Sequence, residues 1–489
     1  MNFLTRTFVL VSISVVVISN WIDAGEKPNV LFIAVDDLND YALGLNSSYR
    51  SKTPCLDALA ERGTLFTHAY CAAPACGPSR TSVITGVAPY NSGVYLNSQD
   101  WRQNEKLWKV TTIPHHFHDH GYKVIGGGKL YHAANLSQVQ LAGHFDSRPW
   151  HEYYPSKSRQ LAHDFITPGQ AVNGSNLFYK GRFDWNPIET ADNETGDGKV
   201  VSWAEEQLSR EHDQPLFLAV GIYRPHIPWY TPEKYFSLYD SSDLGVVDDP
   251  ESDLDDIPDA GSGLARQAWH QWLIEQDKLD DATLAYMASS SFADAMVGRL
   301  IRALDDGPLA ENTVIILWSD HGYHLGQKKH WEKFALWEQT THVPLIFVDS
   351  RQQAQEIRCE QPVSLLDIYP TLNDLCGLGQ PEHLDGQSLA PFLGDSDEPP
   401  QRAVVTTHGR NNHAVRSSHW RYIRYADGSE ELYDHRNDAR EIENLAGARE
   451  YQLVIERLAE HLPRHNEEPR PRTRWRSSGL PPDLPTSGK

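Results

Sequence analysis

The chain has 489 residues and a formal net charge of −22, with 40% hydrophobic and 22% charged residues. This length exceeds one ordinary core and predicts a large domain with a smaller one, in a chain of globular composition. The negative charge excludes a nucleic-acid-binding protein that relies on a broad basic surface. An anionic ligand would need a locally basic pocket.

Residues 1–24 have the order of a secretory signal peptide. Arg6 precedes an apolar run from Phe8 to Ile18, and small and polar residues follow around Ala24. The run is short for a membrane span, and an uncleaved anchor or a first core strand is the alternative. We therefore expect an exported protein, in a periplasmic, extracellular or lysosome-like compartment, without a stable membrane span. Export permits disulfides, and their pairing stays open.

Apolar runs of strand length alternate with helical patterns through most of the chain. The strand candidates are residues 28–35, 123–128, 215–223, 313–320 and 343–349. The helical candidates are residues 53–70, with Gly63 suited to the stop, 76–86, 199–211 and 281–305. Continuous apolar strands between helices predict an α/β fold with a large, mostly parallel or mixed sheet sandwiched by helices.

The sequence pattern changes near residue 400. Short alternating segments after this point predict a smaller C-terminal antiparallel sheet, and residues 448–462 predict a helix that closes it. The Pro- and Arg-rich end of the chain predicts a disordered tail. The predicted units are a signal peptide at 1–24, a catalytic domain at 25–395, an α+β subdomain at 396–465 and a tail at 466–489.

Polar side chains directly follow four of the predicted strands. They are, in chain order, Asp36 and Asp37, Lys129 and His132, His226, and Asp320 and His321. Ligands of an open parallel sheet bind beyond the carboxyl ends of its strands, so we expect these groups at one edge of the sheet. One such pair would fit an ordinary turn. Polar residues after four strands favour a shared site.

The residue types at this edge indicate a metal site for an oxyanion ester. Asp36, Asp37 and Asp320 cannot all stay ionised together without a cation. Oxygen ligands suit a hard divalent ion, Ca²⁺ or Mg²⁺, and His321 could contact either the metal or the substrate. Basic residues around a metal stabilise the charge of a transferred oxyanion. Those cations are Arg80, Lys129 and Lys333, with His132 and His226 when protonated.

Cys76 lies in the stretch CAAPACGPSRTSVITG, residues 71–86. Pro78 near the start and Gly86 near the end of a predicted helix place Cys76 at the helix N-terminus, where the dipole favours anions. A thiolate there would be nucleophilic. It would also be a soft ligand beside a hard metal site, and this mismatch suggests that residue 76 does not act as a cysteine.

The sequence resembles the sulfatase family, and within it the iduronate-2-sulfatase-like branch. Residues 76–80, CGPSR, look like the C-x-P-S-R signature of the family. GGGKLYH, YRPHIPW and SDHGYHLG resemble the branch, as does the spacing from Lys333 to His342. The wider family more often has Asn at the position of His321. The resemblance covers about residues 28–450 and implies an alkaline-phosphatase-like fold.

The resemblance implies a modified nucleophile. A formylglycine-generating maturation enzyme would oxidise Cys76 to formylglycine, whose hydrate is an oxygen nucleophile. One hydroxyl would attack sulfur and expel the sugar alcohol, and the other would eliminate sulfate. The implied metal is one Ca²⁺ rather than Mg²⁺, with a ligand set of Asp36, Asp37, residue 76, Asp320 and His321.

The resemblance also implies roles for the basic residues. Arg80 and Lys129 would steady the nucleophile and its charge, and His132 would be the partner of the diol proton. His226 and Lys333 would face the leaving oxygen or the sulfate. One of them should be the general acid, and we expect His226.

The predicted function is that of an exported sulfatase acting on a sulfated saccharide, such as 2-O-sulfated iduronate or another polysaccharide-derived residue. A phosphonate monoester or phosphodiester hydrolase is the runner-up, because some of these enzymes share the signature; the signal peptide favours the sulfatase. A sugar-binding relative without catalysis is a third interpretation, and the complete catalytic set disfavours it. The sequence leaves the sugar, the sulfate position, the endo or exo mode and the oligomeric state open.

Overall fold

The computed structural model describes residues 27–45, 49–133, 141–163, 170–244, 250, 252–394 and 402–472. The predicted signal peptide lies outside these residues. So do the predicted boundary at 395–396 and most of the predicted tail. No helix in the described part of the chain is long and apolar enough to cross a membrane.

The described part contains eighteen strands and twelve α-helices. The strands are β1 (Asn29–Asp36), β2 (Thr64–Phe66), β3 (Ala69–Tyr70), β4 (Lys123–Gly128), β5 (Glu152–Tyr154), β6 (Trp185–Ile188), β7 (Leu216–Pro225), β8 (Trp229–Pro232), β9 (Thr313–Ser319), β10 (His324–Leu325), β11 (Trp331–Glu332), β12 (Leu345–Asp349), β13 (Ile357–Cys359), β14 (Val363–Ser364), β15 (Ala403–Thr407), β16 (His413–Ser417), β17 (Trp420–Arg424) and β18 (Glu430–Asp434). The helices are α1 (Pro54–Ala60), α2 (Cys76–Thr85), α3 (Pro89–Ser92), α4 (Ile113–Asp119), α5 (Gly196–Leu208), α6 (Glu233–Phe236), α7 (Asp259–Ser262), α8 (Gln267–Glu275), α9 (Leu279–Asp305), α10 (Glu338–Thr341), α11 (Ile368–Leu375) and α12 (Gln452–Ala459).

A mixed sheet of eight strands forms the centre of the molecule, in the order β13-β2-β12-β9-β1-β7-β4-β5. Within this described sheet, β12 runs antiparallel to both of its neighbours, and the other pairings are parallel. The carboxyl ends of β1, β4, β7 and β9 therefore meet at one edge, as the sequence predicts.

Helices cover both faces of this sheet. Alternate side chains of a strand point to opposite faces. Val30, Phe32 and Ala34 of β1 pack in the core that includes α2, α4 and α11. Leu31, Ile33 and Val35 pack in the core that includes α5 and α9. Burial on both faces explains why β1 is continuously apolar, and the predicted sandwich is confirmed.

The helix predicted over residues 53–70 is wrong in its second half. Helix α1 ends at Ala60, and Thr64–Phe66 is strand β2, which pairs with β12. An added Cβ at Gly63 would lie 2.2 Å from the carbonyl oxygen of Phe347, so the chain passes close to β12 directly after the helix. Pairing with a buried strand outweighs the helical propensity of this segment.

The predicted C-terminal sheet is confirmed. Strands β15 to β18 form an antiparallel sheet in chain order. Val415, Tyr422 and Leu432 on one face pack with Ile455 and Leu458, the latter two from α12. The other face packs on residues 335–337, which closely follow Lys333. All five cysteines of the chain are free in the structure.

Candidate active site

The structure brings the predicted strand-end residues together in one buried cluster. Asp36 ends β1, Asp320 and His321 follow β9, and Cys76 begins α2. The cluster also includes Asp37, and one potential ligand atom from each of the five residues lies within 4.8 Å of the others. All five side chains are completely buried.

Asp37 turns away from the strand in a left-handed conformation, with φ of 61°. Asp tolerates this region better than most residues. Its amide N–H donates to Asp320 Oδ1 at 3.1 Å, and its carbonyl accepts from the Tyr286 hydroxyl at 2.7 Å. These bonds hold the kink that directs the Asp37 carboxylate into the cluster.

Cys76 lies at the N-terminus of α2, surrounded by charged groups. Its Sγ is 3.3 Å from Lys333 Nζ, 3.3 Å from His321 Nε2 and 4.0 Å from Asp37 Oδ1. Burial raises the pKa of the thiol, but Lys333 and Lys129 lower it, and the net shift is downward. The helix thus presents residue 76 to the carboxylates and the cations together.

Three cations neutralise the three carboxylates. Arg80 donates from Nε to Asp320 at 2.8 Å and from one terminal nitrogen, Nη2, to Asp36 at 3.0 Å. Lys129 Nζ donates to Asp36, and Lys333 Nζ donates to Asp37 at 2.7 Å. Buried carboxylates that lie close together are stable only when each is paired with a positive charge.

Lys129 depends on the glycine before it. Gly128 has φ of 75°, and an added Cβ would lie 1.9 Å from the carbonyl oxygen of Gly221 in β7. The amide of Lys129 donates to that same carbonyl at 3.0 Å. The close approach of β4 to β7 therefore places the lysine at the sheet edge.

The imidazole of His321 faces the carboxylates. Its Nδ1 donates to the carbonyl oxygen of Gly322 at 3.0 Å, which turns Nε2 towards Asp37 Oδ1 at 3.4 Å and Asp320 Oδ2 at 3.6 Å. Such a carbonyl contact orients histidines that bind metals. Burial lowers the pKa of His321, but Asp320 and Cys76 raise it, to about 9. The sequence left His321 between metal and substrate, and this orientation favours the metal.

His226 and His132 lie on the lysine side of the cluster. His226 Nδ1 donates to the carbonyl oxygen of Ile227 at 2.7 Å. Burial, Lys129 and Lys333 lower the pKa of His226 well below its usual range. Burial and the same two lysines lower the pKa of His132 to about 3. Both imidazoles are neutral at neutral pH in this arrangement.

Several contributors to the site have no clear sequence signal. The Tyr223 ring lies 4.8 Å from Lys129 Nζ and 4.8 Å from the His226 ring. Tyr286, inside α9, supports Asp37 as described above. Ser79 Oγ donates to the carbonyl oxygen of Asp320 at 2.5 Å, and its place in the CGPSR stretch was its only signal.

The donor set fits a hard divalent cation. Three carboxylates and one oriented imidazole converge, and oxygen-rich sets of this kind are typical of Ca²⁺ and Mg²⁺. A thiolate from Cys76 is the one soft donor in the group. The residues that would hold the metal are Asp36, Asp37, Asp320 and His321, with the side chain at position 76.

Comparisons with known proteins agree with this geometry. The model of the family described as Sulfatase matches residues 28–378, and that of the N-sulphoglucosamine sulphohydrolase C-terminal family matches residues 326–468. A protein named Sulfatase from Formosa agariphila is 36% identical over 90% of this chain and 87% of its own length. Human iduronate 2-sulfatase is 30% identical over 72% of this chain and 70% of its own length.

A solved structure shows the same fold at lower identity. Phosphonate monoester hydrolase SpPMH from Silicibacter pomeroyi is 21% identical and covers 89% of this chain and 94% of its own, with a TM-score of 0.72. The iduronate-type resemblance of the sequence and the alkaline-phosphatase-like fold are therefore confirmed. The family match spans most of the chain and includes the whole buried cluster. The chain belongs to the sulfatase family and is an enzyme that hydrolyses sulfate esters.

Proposed function

We propose that the protein is an exported sulfatase that removes sulfate from a sulfated sugar or polysaccharide, with formylglycine at position 76 and Ca²⁺ as its metal. The observation that carries this proposal is the position of Cys76 Sγ. It lies among carboxylates and cations that suit a hard ion and an oxyanion, where a thiol is the wrong nucleophile.

The chain's own residues would fix the reacting groups in place. Arg80 holds Asp36 and Asp320 as metal ligands, and Lys129 holds Asp36 from the other side. Lys333, whose pKa is kept high by Asp37 and Cys76 despite burial, donates to the side chain at position 76. A divalent cation would add Lewis acidity, and formylglycine would supply an oxygen nucleophile. Lys333 therefore serves the nucleophile.

His226 is then the better candidate for the leaving-group proton. Its Nδ1 is engaged by the Ile227 carbonyl, so Nε2 is the atom that would carry a proton to the alcohol. The free imidazole is neutral because it is buried beside Lys129 and Lys333. A bound sulfate would offset those positive charges and raise the pKa of His226, which favours protonation as substrate binds.

Two separate observations support the sulfated-sugar substrate and the export of the protein. The similarity to human iduronate 2-sulfatase supports a sulfated sugar. The signal-peptide pattern of residues 1–24 supports export. The phosphonate monoester hydrolase shares the fold alone, and it makes phosphonates and phosphodiesters the necessary control substrates.

The direct test is a desulfation screen with the full-length protein produced together with a maturation enzyme. Defined sulfated saccharides are compared with an aryl sulfate, a phosphonate monoester and a phosphodiester, and sulfate release is measured. We expect sulfate release from at least one saccharide, with much slower turnover of both phosphorus esters. Cys76→Ala is the matched inactive control. Faster turnover of a phosphorus ester than of every sulfate ester would contradict the proposal.

A further inference from the structure

A cation outside the catalytic cluster lies beside the proposed leaving-group histidine. Arg182 donates a hydrogen bond to the hydroxyl of Tyr223 at 3.0 Å. The ring of Tyr223 in turn contacts His226 and Lys129, as described above. Burial, Lys129 and Lys333 dominate the lowered pKa of His226, and Arg182 adds to it. The guanidinium therefore lies within electrostatic reach of the position where substrate must bind.

The loop that carries Arg182 is rigidly built. Its anchor is Asp184, which is completely buried. The carboxylate of Asp184 accepts from the Tyr230 hydroxyl and from three successive backbone amides, those of Val172, Asn173 and Gly174, at 2.6 to 2.9 Å. Four donors on one buried carboxylate fix this loop before any ligand arrives, and a fixed loop lowers the entropy cost of binding.

Arg182 differs from the other cations of the site in its partners. Arg80, Lys129 and Lys333 each contact a carboxylate, and Arg266 lies 3.6 Å from Glu332. Within the described residues, Arg182 forms no ion pair, and its hydrogen bond to Tyr223 uses one of five N–H donors. It is half-buried, so it stays accessible. In a chain with a net charge of −22, a guanidinium without a carboxylate partner is suited to an external anion.

We propose that Arg182 binds a second anionic group of the substrate, a carboxylate or a further sulfate on the saccharide, next to the sulfate that is cleaved. This inference rests on the proposed function and names Arg182 as its specificity-determining residue. The planar guanidinium presents paired donors that match the oxygens of either group. The substrate would therefore be a sulfated uronate or a sugar that carries more than one sulfate.

The test compares three saccharides with the same scissile sulfate: a neutral monosulfated hexose, a monosulfated uronate and a disulfated hexose. The readout is the ratio of kcat/KM for each anionic saccharide to kcat/KM for the neutral one. We expect wild-type enzyme to have a higher kcat/KM for at least one anionic saccharide than for the neutral one. The anionic saccharide that is preferred shows whether the second anionic group is a carboxylate or a sulfate. Arg182→Gln should lower that ratio about 10- to 100-fold, as loss of a charged hydrogen bond does.

Two further variants separate binding from structure. Arg182→Lys keeps the charge without the paired donors and should retain part of the preference. Arg210→Gln removes an exposed arginine that pairs with Glu206 and should leave the ratio unchanged. An equal loss on all three saccharides in Arg182→Gln would overturn the proposal, because Arg182 would then serve the scissile sulfate or His226. Wild-type enzyme without a preference would also overturn it, whereas wild-type enzyme that releases no sulfate would overturn the proposed function itself.

Discussion

At the scale of single residues, Cys76 and Cys71 illustrate how position decides chemistry. Both are completely buried and lie five positions apart. Burial raises the pKa of the Cys71 thiol far above its usual range, since no nearby cation compensates enough. Two lysines reverse that effect at Cys76. A buried apolar thiol is inert, and one beside cations is reactive.

We predict that the active enzyme carries formylglycine at position 76 and unmodified cysteine at position 71. Both residues fall in one tryptic peptide, residues 63–80, so Cys71 is an internal control. Peptide mass spectrometry of protein made with a maturation enzyme would measure the conversion. A fully active preparation with only unmodified Cys76 would rule out formylglycine as the nucleophile.

The role of His226 can be tested through the leaving group. A sugar alcohol is a poor leaving group that needs a proton, and a nitrophenolate leaves without one. His226→Ala should therefore lower kcat on a sulfated sugar by about 10²–10⁴-fold, with a much smaller loss on an activated aryl sulfate. Lys333→Ala, which removes the contact to residue 76, should slow both substrates. The reverse pattern between the two variants would make Lys333 the general acid.

At the scale of elements, a buried ion network joins the C-terminal sheet to the catalytic part. Arg421 of β17 donates to Glu338 of α10 and to the carbonyl oxygen of Leu336 at 2.8 Å, and its Nε forms an ion pair with Glu441 at 2.5 Å. Leu336 and Glu338, which Arg421 holds, closely follow Lys333 in the chain. The small sheet therefore supports the loop that places Lys333 beside Cys76.

We predict that Arg421→Met destabilises the protein by about 3–5 kcal/mol, because it removes the buried cation that two glutamates share and leaves Glu338 with Arg416 and Glu441 with His435. Arg436→Met is the matched control. That arginine pairs with Asp434 at the surface, where a salt bridge contributes at most about 1 kcal/mol. Urea unfolding of both variants at neutral pH would measure the difference. Equal stabilities would show that the network is not needed to join the two parts.

At the scale of the whole molecule, the candidate metal site contains a cationic side chain for each of its three carboxylates. Arg80, Lys129 and Lys333 pair with the three carboxylates, so we expect the fold to survive removal of the ion. A metal bound only by the folded state adds stability by mass action, about 2.7 kcal/mol at 100 times its dissociation constant.

We therefore predict that a chelator abolishes sulfate release and lowers the melting temperature, while the protein stays folded. Adding Ca²⁺ should restore both quantities. Asp37→Asn should be inactive and its melting temperature insensitive to Ca²⁺, whereas Asp349→Asn, outside the site, should behave as wild type. Circular dichroism and a sulfate-release assay would measure these effects. Full activity in a preparation shown to be metal-free would contradict the assignment.

The sequence alone determined the central sheet, its covering helices, the C-terminal sheet and the identity of the strand-end residues. These follow from local patterns: apolar runs, alternation, and polar residues directly after buried strands, which parallel pairing gathers at one edge.

Tertiary structure decided how those residues face each other and which others join them. The contact of His321 with Cys76 spans 245 positions, and the contact of Lys333 with Cys76 spans 257. The partnership of Tyr223 with Arg182 and the conversion of residues 64–66 into a strand also depend on distant chain segments. No local pattern encodes such contacts, because they arise from packing between segments far apart in the chain.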